Sequence, residues 1–386
     1  MSAARFLLVA VLSGLLTGCS PLRGYEALVV LGDLQAGEAP SRLKATTPPP
    51  VRTALSWQVA GRAHTGDLYL PGAGAPQAGV VLVPGAAPDG KDDPLLVAFA
   101  HTLARARFAV LVPEMPGFRA LRIEPADTRR VADAFVYLAG RPDLSPGGRA
   151  GLVAFSYAVG PTLIAALEDD LRVRVRFVLG VGGYHDLART LRFMTTGWFE
   201  EDGQWRHIQP GDYARLVFVH SSLALLREPR DQEILAAMAA LRLRDRGADL
   251  APLAAGLGAE GRTVYDFLTH TDPARTPGLL RALPADIQAG IAALSPAEMD
   301  LRRLQARLIL VHGRGDHLIP YTESIALAQA VPAGQARLFL IWHLLGHVDL
   351  SPTQVFTWRF WRRDLPDVWR MGRAVDALLQ ERTARE

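Results

Sequence analysis

Cysteine is nearly missing from this 386-residue chain: Cys19 stands alone. No disulfide can therefore form within the chain. Lysine is almost as scarce, at Lys44 and Lys91 only, and arginine supplies the other basic residues. That bias reads as codon usage in a GC-rich genome rather than as chemistry. A dominant charge is lacking too. The 42 basic and 39 acidic residues leave +3, too small an excess over this length to imply a nucleic-acid partner. There is no His-Glu-x-x-His, no Cys/His zinc spacing, no phosphate-binding Gly-x-x-x-x-Gly-Lys and no dinucleotide fingerprint with a suitable acid after it. These motifs therefore point to no metal and no cofactor. No repeat at solenoid periods appears.

What is present is a globular composition, 49% hydrophobic and 21% charged. The length fits one large domain, or a core with an inserted subdomain. At the start, Arg5 precedes an apolar run from Phe6 to Leu16, then Thr17, Gly18, Cys19 and Ser20. The run is short of the roughly 20 residues that span a bilayer, and it has the layout of a secretory signal. "LTGC" resembles the lipobox of bacterial lipoproteins. The resemblance implies cleavage after residue 18, a lipid on the Cys19 thiol, and anchoring in the cell envelope. By the same resemblance, Ser20 points to the outer membrane, facing the periplasm.

Residues 19–50 are expected to hold a short helix near "YEALVVLGDLQAG" and then a proline-marked linker, "EAPSRLKATTPPP". From Val51, "LSWQVAG" and "TGDLYLPG" predict a β-hairpin. "GVVLVPG", "FAVLVPEMPG", "RAGLVAF", "RVRFVLGVGG", "ARLILVHGRGD" and "ARLFLIW" read as short strands, most apolar throughout and alternating with helical stretches. That pattern predicts an α/β fold, a mainly parallel sheet with helices on both faces. Between about Leu187 and Asp300 the alternation stops and helical patterns such as "ILAAMAALRLR" take over. The expected division is a core over 51–186 and 301–386, with an inserted helical cap over 187–300.

One hydroxyl sits where a strand gives way to a helix, in "GLVAFSYAVGPTLIAA". Ser156 there is either a helix cap or a nucleophile on a tight turn. The turn needs small residues two places before and after, and Ala154 and Ala158 supply them. Gly160, one turn on, would let the helix approach the sheet. A serine hydroxyl needs a base, and the base needs an orienting acid. Both follow in order: Asp316 just beyond "LILVHG", and His347 in "LGHVDL".

The joint pattern resembles the α/β-hydrolase family over about Val51–Gly183 and Leu304–Leu379. The Ser156 turn, "HGRGDHLIP" and the "GH" of His347 carry the resemblance, with alanines 154 and 158 standing where the family usually has glycine. It implies an acyl-transfer hydrolase using Ser156, His347 and Asp316 on a small-molecule acyl substrate. It also implies an oxyanion hole from the backbone N–H groups of Ala86, in "VPGAAPDG", and Tyr157. Asp186 is the competing acid, because some members carry it after that earlier strand. His185 reads as a pocket or cap-hinge residue and His312 as support for the Asp316 turn. Asp349 is too near His347 in sequence to orient it. His220, Ser221 and Ser222 read as cap packing. The Trp- and Arg-rich "VFTWRFWRRDLPDVWRM" reads as a helix packed on the sheet rather than on a membrane. The second functional reading is a catalytically silent lipoprotein of the same fold that binds a ligand or an envelope partner. Oligomeric state is not readable.

Overall fold

The computed structural model describes residues 21–245, 247–347 and 363–383. Cys19, Asp349 and much of the Trp/Arg-rich stretch lie outside them. Two helices come first, α1 (Pro21–Ala36) and α2 (Arg42–Thr46). They are followed by the hairpin β1 (Val51–Val59) and β2 (Arg62–Leu70). Its two-residue turn, Ala60-Gly61, has positive φ at both positions, the geometry that matches the twist of paired strands.

The core then alternates. In chain order come β3 (Ala78–Val83), α3 (Pro94–Arg105), β4 (Phe108–Pro113), α4 (Ala126–Ala139), β5 (Ala150–Phe155), α5 (Val159–Ala165) and β6 (Val175–Val181). After a long insertion follow β9 (Arg307–Gly313), α12 (Thr322–Ala330), β10 (Ala336–Ile341) and α13 (Leu365–Thr383). The eight strands form one sheet in the order β1-β2-β4-β3-β5-β6-β9-β10. The pairs from β4 through β10 are parallel, and β2 joins β4 antiparallel. Every residue of β3 and β4 is buried, because neighbouring strands and helices on both faces cover them.

Side chains alternate between two cores, as a pleat requires. Val81, Val83, Leu152 and Ala154 face α4, α5 and the insertion. Val80, Leu82 and Val153 face α1, α3 and α13. From β3 the chain goes one way to β4, then returns to build β5, β6, β9 and β10 on the other side. The loops after β3 and β5 therefore part from each other, and the crevice of an open α/β sheet lies at that switch.

The insertion is mostly helical: α6 (Leu187–Thr196), α7 (Tyr213–Leu223), α8 (Pro229–Arg244), α9 (Ala259–Thr269), α10 (Thr276–Ala282) and α11 (Ala285–Ala293). It also holds a two-stranded hairpin that the helical pattern did not predict, β7 (Trp198–Glu201) and β8 (Gln204–His207). The signal was in the sequence: its turn is Asp202-Gly203, both at positive φ.

The expected linker also differs. Ser41 caps α2, Leu43 is buried, and Ala27, Val30 and Leu31 of α1 belong to the second core. Buried Asp33 joins the two segments to the body, accepting from Thr102 (2.7 Å) and pairing with Lys44 (2.7 Å). Arg382 of α13 holds Glu26 through two nitrogens (2.7 and 2.9 Å). The prolines marked a loss of regularity. The apolar side of α1 found its cover only in α3 and α13.

Candidate active site

Ser156 stands at the end of β5 with φ of +55°. A non-glycine residue there stores on the order of 1–3 kcal/mol of backbone strain, which the buried strand and helix on either side enforce. The turn lifts the hydroxyl clear of the sheet. Ala154 and Ala158 are fully buried, so even one methyl more would crowd the turn. Gly160 is a close-approach position. A Cβ there would lie 2.1 Å from the Tyr184 hydroxyl and 3.0 Å from the Leu294 carbonyl. Tyr184 needs that space to donate to Leu294 O (2.8 Å), tying the end of β6 to the insertion.

His347 lies against this serine, with Nε2 2.6 Å from Ser156 Oγ and Nδ1 2.6 Å from Asp316 Oδ2. With a carboxylate on Nδ1, the neutral ring carries its proton there and presents a lone pair at Nε2 to the hydroxyl. Asp316 lies three residues past β9 and has no solvent exposure. Its Oδ1 accepts from the N–H groups of Leu318 (2.8 Å) and Ile319 (3.0 Å). Its Oδ2 also receives His312 Nε2 at 3.1 Å. Burial opposes the charge, but the adjacent His347 and the hydrogen bonds from His312 and His347 outweigh it. They hold the carboxyl well below its ordinary range.

His312 is itself fully buried. Its Nε2 faces two acceptors, Asp316 and the Ile319 carbonyl (3.0 Å), so it is the donor there and Nδ1 accepts from Ser324 Oγ (2.7 Å). It supports the turn that aims Asp316.

Asp186 is elsewhere. Its carboxylate caps α6 by accepting from Arg189 N (3.0 Å). His185 sits beside it against Arg189 Nη2 (3.2 Å). Ser221 accepts from Ile123 N (3.0 Å) and Ser222 donates to Phe218 O (2.8 Å), which makes both packing contacts of the insertion.

The loop carrying Ala86 follows β3 and faces the Ser156 turn across the crevice. Among the described residues, the Ala86 N–H makes no hydrogen bond to protein. Tyr157 N–H stands in the first turn after the strand, where helical partners are lacking. Charges moor the rest of this loop: Lys91 to Asp67 (2.9 Å) and Asp92 to Arg119 (3.0 Å).

Three supporting residues had no separate signal in the sequence. Tyr213 of α7 donates to the Ala86 carbonyl (2.6 Å), so the insertion pins this loop. Asp367 in α13 accepts from the N–H groups of Trp342, His343 and Leu344, which fixes the segment leading to His347. Glu323 of α12, buried, accepts from the N–H groups of His185 (3.1 Å) and Asp186 (2.8 Å) and from Arg189 Nε (2.8 Å). Each joins segments far apart in the chain, which no local pattern announces. Among the described residues, no group of three or more His, Cys, Asp or Glu side chains could hold a metal ion. No helix among them is long and apolar enough to cross a membrane.

Comparison with known proteins places this architecture. No protein-family model matches the sequence, and no curated protein matches it either. Solved structures do. A proposed hydrolase from Legionella pneumophila aligns with a TM-score of 0.53 at 12% identity, over 88% of this chain and 92% of its own. An esterase domain from Rhodothermus marinus gives 0.44 at 14% identity, over 86% and 98%. An acylaminoacyl peptidase from Pyrococcus horikoshii gives 0.45 at 10% identity; 89% of this chain is covered, but only 43% of that longer protein. The chain has the α/β-hydrolase fold.

Proposed function

We propose that the protein is a serine hydrolase that cleaves an ester-type bond through an acyl-enzyme intermediate. The observation that carries this reading is the unbroken chain from Ser156 Oγ to His347 Nε2 and from His347 Nδ1 to Asp316, at 2.6 Å for each contact. In the first step Ser156 Oγ bonds to the substrate carbonyl carbon while His347 Nε2 takes the hydroxyl proton. The carbonyl oxygen gains negative charge, which the N–H groups of Ala86 and Tyr157 meet. His347 returns the proton to the leaving oxygen as its bond to carbon breaks. Water then repeats the sequence on the acyl-serine, releasing the acid and restoring Ser156. Asp316 stays ionised throughout and stabilises the imidazolium.

A fluorophosphonate probe tests the reading, since it labels only an activated serine. Wild-type protein is expected to label at Ser156. Ser156→Ala is expected to lose labelling and on the order of 10⁴-fold in ester turnover while melting at the wild-type temperature. A folded wild-type protein that stays unlabelled would favour the ligand-binding alternative.

The proposal includes an envelope anchor at Cys19, supported by the lipobox-like "LTGCS" after a short apolar run. One acyl chain holds a protein only marginally, so a diacylglyceryl group is the attachment expected. Mass spectrometry of the N-terminal peptide, from a host that processes lipoproteins, should find a lipidated Cys19. Cys19→Ala should block both lipidation and signal cleavage at that site.

A further inference from the structure

Among the described residues, the cavity that touches Ser156 meets the helical insertion only at Tyr213. It holds about 630 Å³ and runs from Ser156, His347 and Ala86 down the opposite face of the sheet. Its walls come from three helices: Leu31 and Leu34 of α1, Leu96 and Phe99 of α3, and Val375 and Leu378 of α13. Its floor is the sheet, through Leu179, Val181 and Val311. A charged wall residue, Asp93, is already engaged as the cap of α3, accepting from Leu95 N (2.9 Å) and Leu96 N (3.0 Å). Gln35 of α1 is the other polar side chain of the walls, and the remaining side chains away from the mouth are apolar. The cavity on the insertion side holds only about 120 Å³ and touches neither Ser156 nor His347.

We propose that this sheet-side cavity is the acyl pocket and takes a long hydrocarbon chain. The inference rests on the serine-hydrolase reading and names its substrate class. An ester carbonyl placed at Ser156 has this apolar cavity next to it among the described residues. Three helices, α1, α3 and α13, and one strip of sheet enclose it. Phe99 and Phe155, packed edge to face at 5.2 Å, add two aromatic rings to its apolar lining. Helix α1 closes one wall, so the segment that precedes the hydrolase core contributes directly to substrate choice.

The test is a series of p-nitrophenyl esters from acetate to palmitate. Burying a methylene is worth about 0.8 kcal/mol, which converts to about fourfold in kcat/KM per added carbon until the channel is full. Two variants narrow the channel from facing walls, Ala374→Trp on α13 and Ala98→Leu on α3. Both should move the optimum to shorter chains. Gly290→Leu, on the insertion-side cavity where a Cβ has room (nearest atom 3.9 Å), should leave the optimum in place. Melting temperatures identify any variant that fails to fold, and the second wall variant then decides. Binding of a fluorescent fatty acid to Ser156→Ala gives a readout without catalysis, and adding Ala374→Trp should weaken it by at least tenfold. A flat chain-length profile in a protein whose Ser156 labels would overturn the pocket and leave the hydrolase standing. So would an optimum moved by Gly290→Leu rather than by the wall variants. Absence of labelling and of all ester turnover would instead defeat the hydrolase reading.

Discussion

The ends of β6 and β9 are neighbours in the sheet, and each carries a histidine and an aspartate. After β6 come His185 and Asp186. At β9 come His312 and Asp316. As short sequences the two ends look alike, and their surroundings separate them. Asp316 has no exposure and accepts four hydrogen bonds, two from imidazoles. Asp186 keeps part of its surface in water and caps a helix, while the backbone beside it is held by Glu323. A carboxylate at a strand end gains a chemical role from the donors that converge on it. Its position after the strand is not enough.

The strongest way to break this comparison is to neutralise each acid in turn. Asp316→Asn keeps the shape but sets an amide against His347 Nδ1, which favours the wrong tautomer. Ester turnover should fall by on the order of 10⁴-fold. Asp186→Asn should change turnover less than about threefold. Equal losses would make the β6 end chemical as well. Rates and melting curves measured on the same samples keep folding out of the result.

Next in size is the clamp on the β6 end. Glu323→Ala leaves two backbone N–H groups and Arg189 without their buried acceptor. It should cost about 3 kcal/mol in urea unfolding. If stability is unchanged, the β6 end is not held by this carboxylate.

The third test uses a buried carboxyl that lacks an imidazole. Asp127 in α4 accepts from Glu124 N (2.8 Å), with Arg130 3.6 Å away. Burial pushes its carboxyl up to about 6, against the downward pull at Asp316. A raised acid pKa means the folded state holds its proton longer than the unfolded chain, whose carboxyl titrates at about 3.9. The carboxyl costs nothing below that value. Its cost grows as pH rises through about 4 to 6 and is complete above. Asp127→Asn should therefore stabilise the protein by about 3 kcal/mol at about pH 7.5, and by almost nothing at about pH 4. A gain independent of pH would locate its cause outside this titration.

Much of the fold could be read along the chain, because its signals are local. The runs that became β3, β4 and β5 are apolar throughout, those that became β6, β9 and β10 are apolar but for one arginine each and His312, and glycine, proline and capping residues punctuate them. A buried parallel strand can have hardly any other composition. Ser156, Asp316 and His347 were readable for a related reason. Ser156 and Asp316 lie just past strand ends and His347 in the loop after β10, and a serine turn tolerates only small neighbours such as Ala154 and Ala158. The Asp202-Gly203 turn is an equally local signal, set among helical periods.

By itself, the sequence determined the strands, the helices, the turn at Ser156 and the order of serine, acid and histidine. Those features depend on sterics and hydrophobic spacing within a few residues. The tertiary structure decided which aspartate meets His347, because Asp316 and Asp186 differ only in what folds around them. It decided that α1 is a wall of the body, since an apolar helix face has no meaning until α3 and α13 cover it. It also decided that the large cavity opens on the face away from the insertion, where Leu31, Leu96 and Val375, far apart in the chain, converge beside one strip of sheet. Contacts between residues hundreds of positions apart leave no local pattern, and only the packed chain brings them together.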